Sequence, residues 1–135
     1  MGQTSAYAYI KLSGNDDFPL LVVTEQLGIE PTNTWKVGEK VHPDKPLERF
    51  YTCWKYKIGP FETIVVEDVL DPLHNIFHSK VAIINQLKQQ YDLSVKIALV
   101  IEMENGHAPG LVISPEFSRF VSSLDASIDV DMYIF

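Results

Sequence analysis

Two pairs of residues in this sequence have the types and spacing that chemistry could use. Asp129 and Asp131, in "SIDVDMY", alternate with Ile128, Val130 and Met132, so both carboxylates project from one side of a strand. Such a pair could serve general acid/base chemistry or hold a hard cation. A catalytic pair needs one pKa raised by burial or by its neighbour. Residues i and i+2 on a solvated strand stand roughly 7 Å apart at Cα, a coupling too loose to guarantee that. A surface role is the simpler reading. His74 and His78, in "HNIFH", stand four apart and share a helix face, as the zinc ligands of H-E-x-x-H enzymes do. Here Asn75 stands where the catalytic Glu would be, and a third ligand would have to come from His42, His107 or a carboxylate. Two exposed histidines and no metal explain the pair more simply.

The other nucleophile candidates are weaker. Cys53, the only cysteine, lies mid-strand in "YTCWKYK" and reads as a buried, inert thiol; one cysteine also excludes an intramolecular disulfide. Ser114 has no G-x-S-x-G elbow around it and reads as a helix cap. No glycine-rich phosphate loop is present. No residue is assigned a catalytic role, no cofactor is implied, and an enzyme is the less favoured class.

The elements that would position these residues follow from periodicity. "AYAYIKL" alternates Ala6, Ala8, Ile10 and Leu12 against Tyr7, Tyr9 and Lys11, a half-buried strand. Asp16 or Asp17 is expected to cap a helix with Pro19 in its first turn. Leu20, Val23 and Leu27 keep helical spacing, Gly28 ends the helix in the left-handed conformation, and Pro31 blocks its continuation. "NTWKVGEKV" and "RFYTCWKYKI" read as two strands of a long-looped hairpin; in the second, Phe50, Thr52, Trp54 and Tyr56 share a face opposite Tyr51, Cys53, Lys55 and Lys57. Two helices follow, with stripes Val66, Val69, Leu73, Ile76, Phe77 and Ile83, Ile84, Leu87, Tyr91, broken near Pro72 and "HSK", where Ser79 is a candidate cap. "LSVKIALVIEM" is the strongest strand and is expected in a central position. "LVIS" reads as a short strand. Ser114 and Pro115 open a helix carrying Phe117, Phe120, Val121 and Leu124, and "ASIDVDMYIF" closes the chain as a strand.

The order β-α-β-β-α-α-β-β-α-β predicts an α+β fold. Its form is a single domain over 1–135, with one mixed, mostly antiparallel sheet of about six strands and helices on one face, in ferredoxin-like style. Alternation then gathers Tyr7, Tyr9, Lys11, Lys96, Glu102, Asp129, Asp131 and Tyr133 on the other face. A face carrying aromatics and both charge signs can bind a partner or a small ligand, although antiparallel sheets routinely solvate one face. Trp35 and Trp54 join the candidate binding residues, Trp35 at the corner "LGIEPTNTW", which otherwise reads as a helix-to-strand connector.

Eleven Lys and Arg stand against 18 Asp and Glu, for a net charge of −7. That sign disfavours nucleic acid, and the positive charges look scattered along the chain, with no local basic patch. A basic protein partner suits the sign better. No apolar run is long enough to span a bilayer. The start lacks the pattern of a signal peptide, and "MGQTSA" has Ala6 where a myristoylation signal wants Ser or Thr. A cytoplasmic protein that does not engage membranes is expected.

"LGIEPTNTW" with "VGE" after it, Trp54 in the next strand, a helical middle, "GLVIS" and the closing "IDVDMY" together resemble a bacterial family known as domain of unknown function 4279. The resemblance runs over nearly the whole chain in order; its most specific parts are the L-G-I-x-P-T element and the terminal D-x-D-x-Y strand. It implies a small bacterial α+β protein and carries over no activity and no catalytic residues. The residues therefore point to a non-enzymatic binding protein, one form of which is an immunity-type protein masking a basic surface. The alternative is a small-molecule binder or hydrolase-like enzyme using Asp129, Asp131 and Tyr133. A homodimer through a sheet edge or the aromatic face is the third expectation.

Overall fold

A computed structural model describes residues 2–135. Five strands form one sheet: β1 (Ser5–Gly14), β2 (Asn33–Trp35), β3 (Thr52–Glu62), β4 (Ser94–Met103) and β5 (Ser127–Ile134), in the spatial order β2-β3-β1-β4-β5. All neighbours are antiparallel except β4 and β5, which run parallel. Four α-helices connect them: α1 (Leu20–Leu27), α2 (Glu67–Phe77), α3 (Val81–Tyr91) and α4 (Pro115–Ser123). The first four strands form the split β-α-β arrangement of ferredoxin-like folds, and α4 with β5 extends the sheet beyond β4.

The period-2 pattern of β1 sets the layers. Ala6, Ala8, Ile10 and Leu12 are buried beside Val95, Ile97, Leu99 and Ile101 of β4 and Trp54 of β3. Onto this side pack Val23 and Leu27 of α1, Leu73 and Phe77 of α2, Ile84 and Leu87 of α3, and Phe117 and Phe120 of α4. Trp54 is fully buried, donates its indole N–H to Thr24 Oγ1 at 3.0 Å, and meets Phe77 edge to face. Trp54 thus lies in the core and not on the open face.

Gly28 ends α1 at φ 69° and donates its N–H to the Thr24 carbonyl, as the local sequence requires. Ile29 folds back onto the core. The rest of the corner is spliced onto β3, with Thr32 N–H donating to the Lys55 carbonyl and Thr32 Oγ1 accepting from Lys57 N–H. Ser114 caps α4 through the Phe117 N–H, with Pro115 in the first turn. Among the described residues, no helix is long and apolar enough to cross a membrane.

Several local expectations are corrected. The sheet has five strands because "LVIS" is not one of them: β4 is flanked by β1 and β5, so both of its edges are taken. Leu111–Ser114 runs as an extended connector with Leu111 and Val112 exposed, after a lone bridge from Gly110 to Val65. β2 shrinks to Asn33–Trp35, since the chain turns away at Lys36–Gly38; beyond it Lys40 bridges Glu48, with backbone bonds between Gly38, Glu39 and Arg49 and between Val41 and Leu47. Pro19, not Asp16 or Asp17, occupies the N-cap of α1, and no side chain caps it. α2 runs through Pro72, and the break falls at the 3-10 turn His78–Lys80, where Ser79 caps nothing.

Candidate functional site

All the helices lie on one side of the sheet, so the opposite face is open to solvent. Strand register decides what that face presents. Lys11 of β1 lies directly opposite Lys55 of β3 on one flank and Lys96 of β4 on the other. One step along, Tyr9 lies between Lys57 and Ala98, and Ala98 in turn pairs with Asp129 of β5. The next row sets Tyr7 beside Val100 and Asp131, and the last sets Ser5 beside Glu102 and Tyr133. Tyr7, Tyr9, Lys11, Lys96, Glu102, Asp129, Asp131 and Tyr133 therefore share the face, as alternation implies. Ala98 and Val100 are buried even here, flanked by the tyrosines of β1 and the side chains of β5.

The basic residues are not scattered. Five of the chain's eleven Lys and Arg gather on or beside this face: Lys11, Lys55, Lys57, Lys96 and Arg49. The sequence conceals this because β1, β3 and β4 are far apart along the chain, and only register brings them together. Like charges directly opposite across strands are destabilising, and each member of the Lys55–Lys11–Lys96 row answers with its own counter-group. Lys55 leans diagonally over the Tyr9 ring at 4.1 Å, and Lys57 over Tyr7 at 4.9 Å. Lys11 turns to Tyr51, 5.0 Å from the ring centre, and donates to its hydroxyl at 3.3 Å. Lys96 reaches Asp129 at 2.6 Å. Arg49 covers the Trp35 ring at 4.1 Å, and Tyr51 meets that ring edge to face. Trp35 is thereby nearly buried, and among the described residues its indole N–H has no hydrogen-bond partner.

The electrostatic consequences differ along the row. Partial burial pushes the Lys55 ammonium below its ordinary pKa; Lys57, Lys11 and Arg49 push the same way, and Cys53 opposes them. Lys96 moves up, chiefly through its hydrogen bond to Asp129. Burial raises the Tyr7 and Tyr9 hydroxyls, and nearby Tyr133, Glu102 and Asp131 add to the effect at Tyr7. Both phenols stay protonated at neutral pH and can donate. The face is thus divided, cationic and aromatic over β3 and β1, acidic toward Glu102, Asp131 and Tyr133.

A cleft of about 530 Å³ opens at the lysine end, bounded by Lys11, Ser13, Asn15, Ser94, Tyr51 and Phe50. Phe50 is 83% exposed, a large ring held in water at the rim. Neither Phe50 nor Tyr51 stands out in sequence as a site residue, since each reads as ordinary strand alternation. His74 and His78 stack at 5.1 Å; His74 packs against Phe117 and Phe120 of α4, and His78 is exposed. Among the described residues, no group of three or more His, Cys, Asp or Glu could hold a metal.

Fold and face together define a two-layer α+β protein with an open, charge-divided sheet. Residues 4–135 match the family described as domain of unknown function (DUF4279), and the chain belongs to that family. No curated protein and no solved structure matches it.

Two measurable consequences follow from the register. Replacing the central lysine, Lys11→Met, removes repulsion on both flanks while keeping the apolar stem, and urea unfolding should show stability unchanged or raised by up to about 1 kcal/mol. A loss larger than that would contradict the repulsive row. Cys53 is buried beneath the same face, and burial pushes its thiol from 9.0 up to about 11 against the pull of Lys11, Lys55 and Arg49. The unfolded thiol ionises first, so this contribution to stability is complete below about pH 9 and declines as pH rises towards 11. At pH 8 a thiol-alkylating reagent should label the urea-unfolded chain within minutes and spare the native one; equal labelling would refute a buried thiol.

Proposed function

We propose that this protein is a non-enzymatic binding module whose open sheet face takes an acidic segment of a protein partner. The observation that carries the reading is the lysine row. Three lysines in direct backbone register crowd like charges on adjacent strands, and natural sequences break such local rules chiefly where function repays them. The tyrosine rings hold Lys55 and Lys57 in place, so carboxylates would meet largely preorganised cations and little side-chain entropy would be lost on binding. The exposed Phe50 beside the cleft suits an apolar side chain flanking those carboxylates.

The net charge of −7 alone favours a basic partner, in the manner of an immunity-type protein. The distribution of charge on the one uncovered face favours an acidic contact there. An extended polyanion such as nucleic acid would have to approach against the whole-molecule field, so a short acidic stretch suits the site better. A hydrolytic use of Asp129, Asp131 and Tyr133 finds less support. Asp129 is engaged by Lys96, and Asp131 and Tyr133 are exposed.

The test is affinity capture from the source cells at low salt, using the wild-type chain, the double variant Lys55→Glu/Lys57→Glu, and the helix-side control Lys80→Glu. The reading expects a stoichiometric partner retained by the wild type and the control, lost by the face variant, and released by 0.5 M salt. Equal retention by the face variant, or no stoichiometric partner at all, would sink it.

A further inference from the structure

The two edges of the sheet are treated differently. At one edge, β2 is three residues long, lies between Pro31 and Lys36, and offers little backbone to a stranger. At the other, β5 is eight residues long, has no proline or lysine, and among the described residues is bonded only on its β4 side. From Val130 to Ile134 its side chains are uncovered on both faces. On the helix side, Met132 is 49% and Ile134 76% exposed, with Val130 beside them; Tyr133 and Phe135 are exposed on the other. Natural proteins usually blunt such an edge with charge, proline or a covering element; here the only charges are Asp129 and Asp131, both on the open-face side.

The backbone of this edge has a definite pattern. Phe135 donates its N–H to the Met103 carbonyl of β4. By the alternation of a strand, the odd-numbered residues of β5 bond inward, and Val130, Met132 and Ile134 point N–H and C=O outward. The side chains then select a pairing. In an antiparallel two-fold pairing of β5 with a second β5, a centre on Asp131 sets Asp131 against itself, and a centre on Val130 sets Asp129 against Asp131. A centre on Tyr133 avoids both but brings fewer outward backbone groups together; a centre on Met132 avoids both and engages all three. It places Val130 opposite Ile134, Asp131 opposite Tyr133 and Asp129 opposite Phe135, with Met132 against its own copy. In that register the outward groups of Val130, Met132 and Ile134 meet their counterparts in about six hydrogen bonds. The apolar side chains of the two helix-side rows also become continuous.

We propose that the β5 edge is a self-complementary interface, through which two copies of this chain join their sheets antiparallel about Met132. The occupant is a second copy because the sequence of β5 pairs with itself without setting like charges opposite each other, and because the outward backbone groups coincide with the apolar residues. This is independent of the lysine face, and salt separates the two. Each copy carries −7, so screening strengthens the pairing of two copies, whereas it weakens capture of an acidic segment.

Light scattering on the full chain at 100 µM should give twice the monomer mass, with the dimer fraction rising between 50 and 500 mM salt. Met132→Lys, at a half-exposed position, should keep the wild-type circular dichroism and give a monomer. In a second arm, Met132→Cys should form a covalent dimer under mild oxidation, because residues directly opposite in a bonded pair stand about 5.5 Å apart at Cα, within disulfide reach. Val130→Cys alone should not cross-link, and Val130→Cys combined with Ile134→Cys should. A wild-type monomer at 100 µM, a dimer that survives Met132→Lys, or a Met132→Cys chain that stays uncrosslinked while Val130→Cys dimerises would each overturn the proposal.

Discussion

The constraint on which the structure depends is the register of β1. This strand lies in the middle of the sheet and is bonded along its length on both sides. Its even-numbered residues Ala6, Ala8, Ile10 and Leu12 fill the core, level with Ile101, Leu99, Ile97 and Val95 of β4. A slip of one residue would turn every one of these side chains into solvent. With apolar burial fixing the register, the odd-numbered residues have no freedom. Tyr7, Tyr9 and Lys11 must stand on the open face, and Lys11 must stand between Lys55 and Lys96.

Magnitudes show which effect prevails. Full burial of one Ile or Leu is worth about 1.5–3 kcal/mol, and the interior holds many of them. A like-charge pair across strands costs about 0.2–1 kcal/mol, and the tyrosine rings and Asp129 return part of that. The core can therefore carry the lysine row without strain on the fold, yet nothing in the core requires it. Core and open face are separable: the first sets positions, and the second uses them. Gly59 marks the limit of that rigid region. At φ 93° and with the Ala6 carbonyl where a Cβ would sit, it lies where the pairing of β1 with β3 shifts register, so the regular lysine–tyrosine pattern ends beside Tyr7.

Much of this was legible in the sequence wherever the signal is local. The alternation in β1, β4 and β5, the helical stripes, the Gly28 terminus and the Ser114 cap each depend on residues within a few positions of one another. The open-face set from Tyr7 to Tyr133 followed from the same alternation. Register between strands was not legible, because it is fixed by tertiary packing. That is why Lys11, Lys55 and Lys96 read as isolated charges, and why Trp54 read as a site residue when its indole belongs to the core. "LVIS" has the composition of a strand, but the strand that precedes it, β4, has both edges taken by β1 and β5, and the sequence cannot show that. Phe50 and Tyr51 escaped notice for a related reason: the cleft they border forms only when the loop before β3 meets the β1 turn and the start of β4.

The central claim is that the open face is a working surface, occupied in the cell. Amine-reactive footprinting tests it most directly, comparing the labelling of each lysine in intact source cells with labelling of the purified protein. The account predicts that Lys11, Lys55 and Lys57 are protected in cells by at least several-fold, while Lys80 on the helix side reacts equally in both. Equal labelling of all four would show a face that is merely solvated, and would contradict the account.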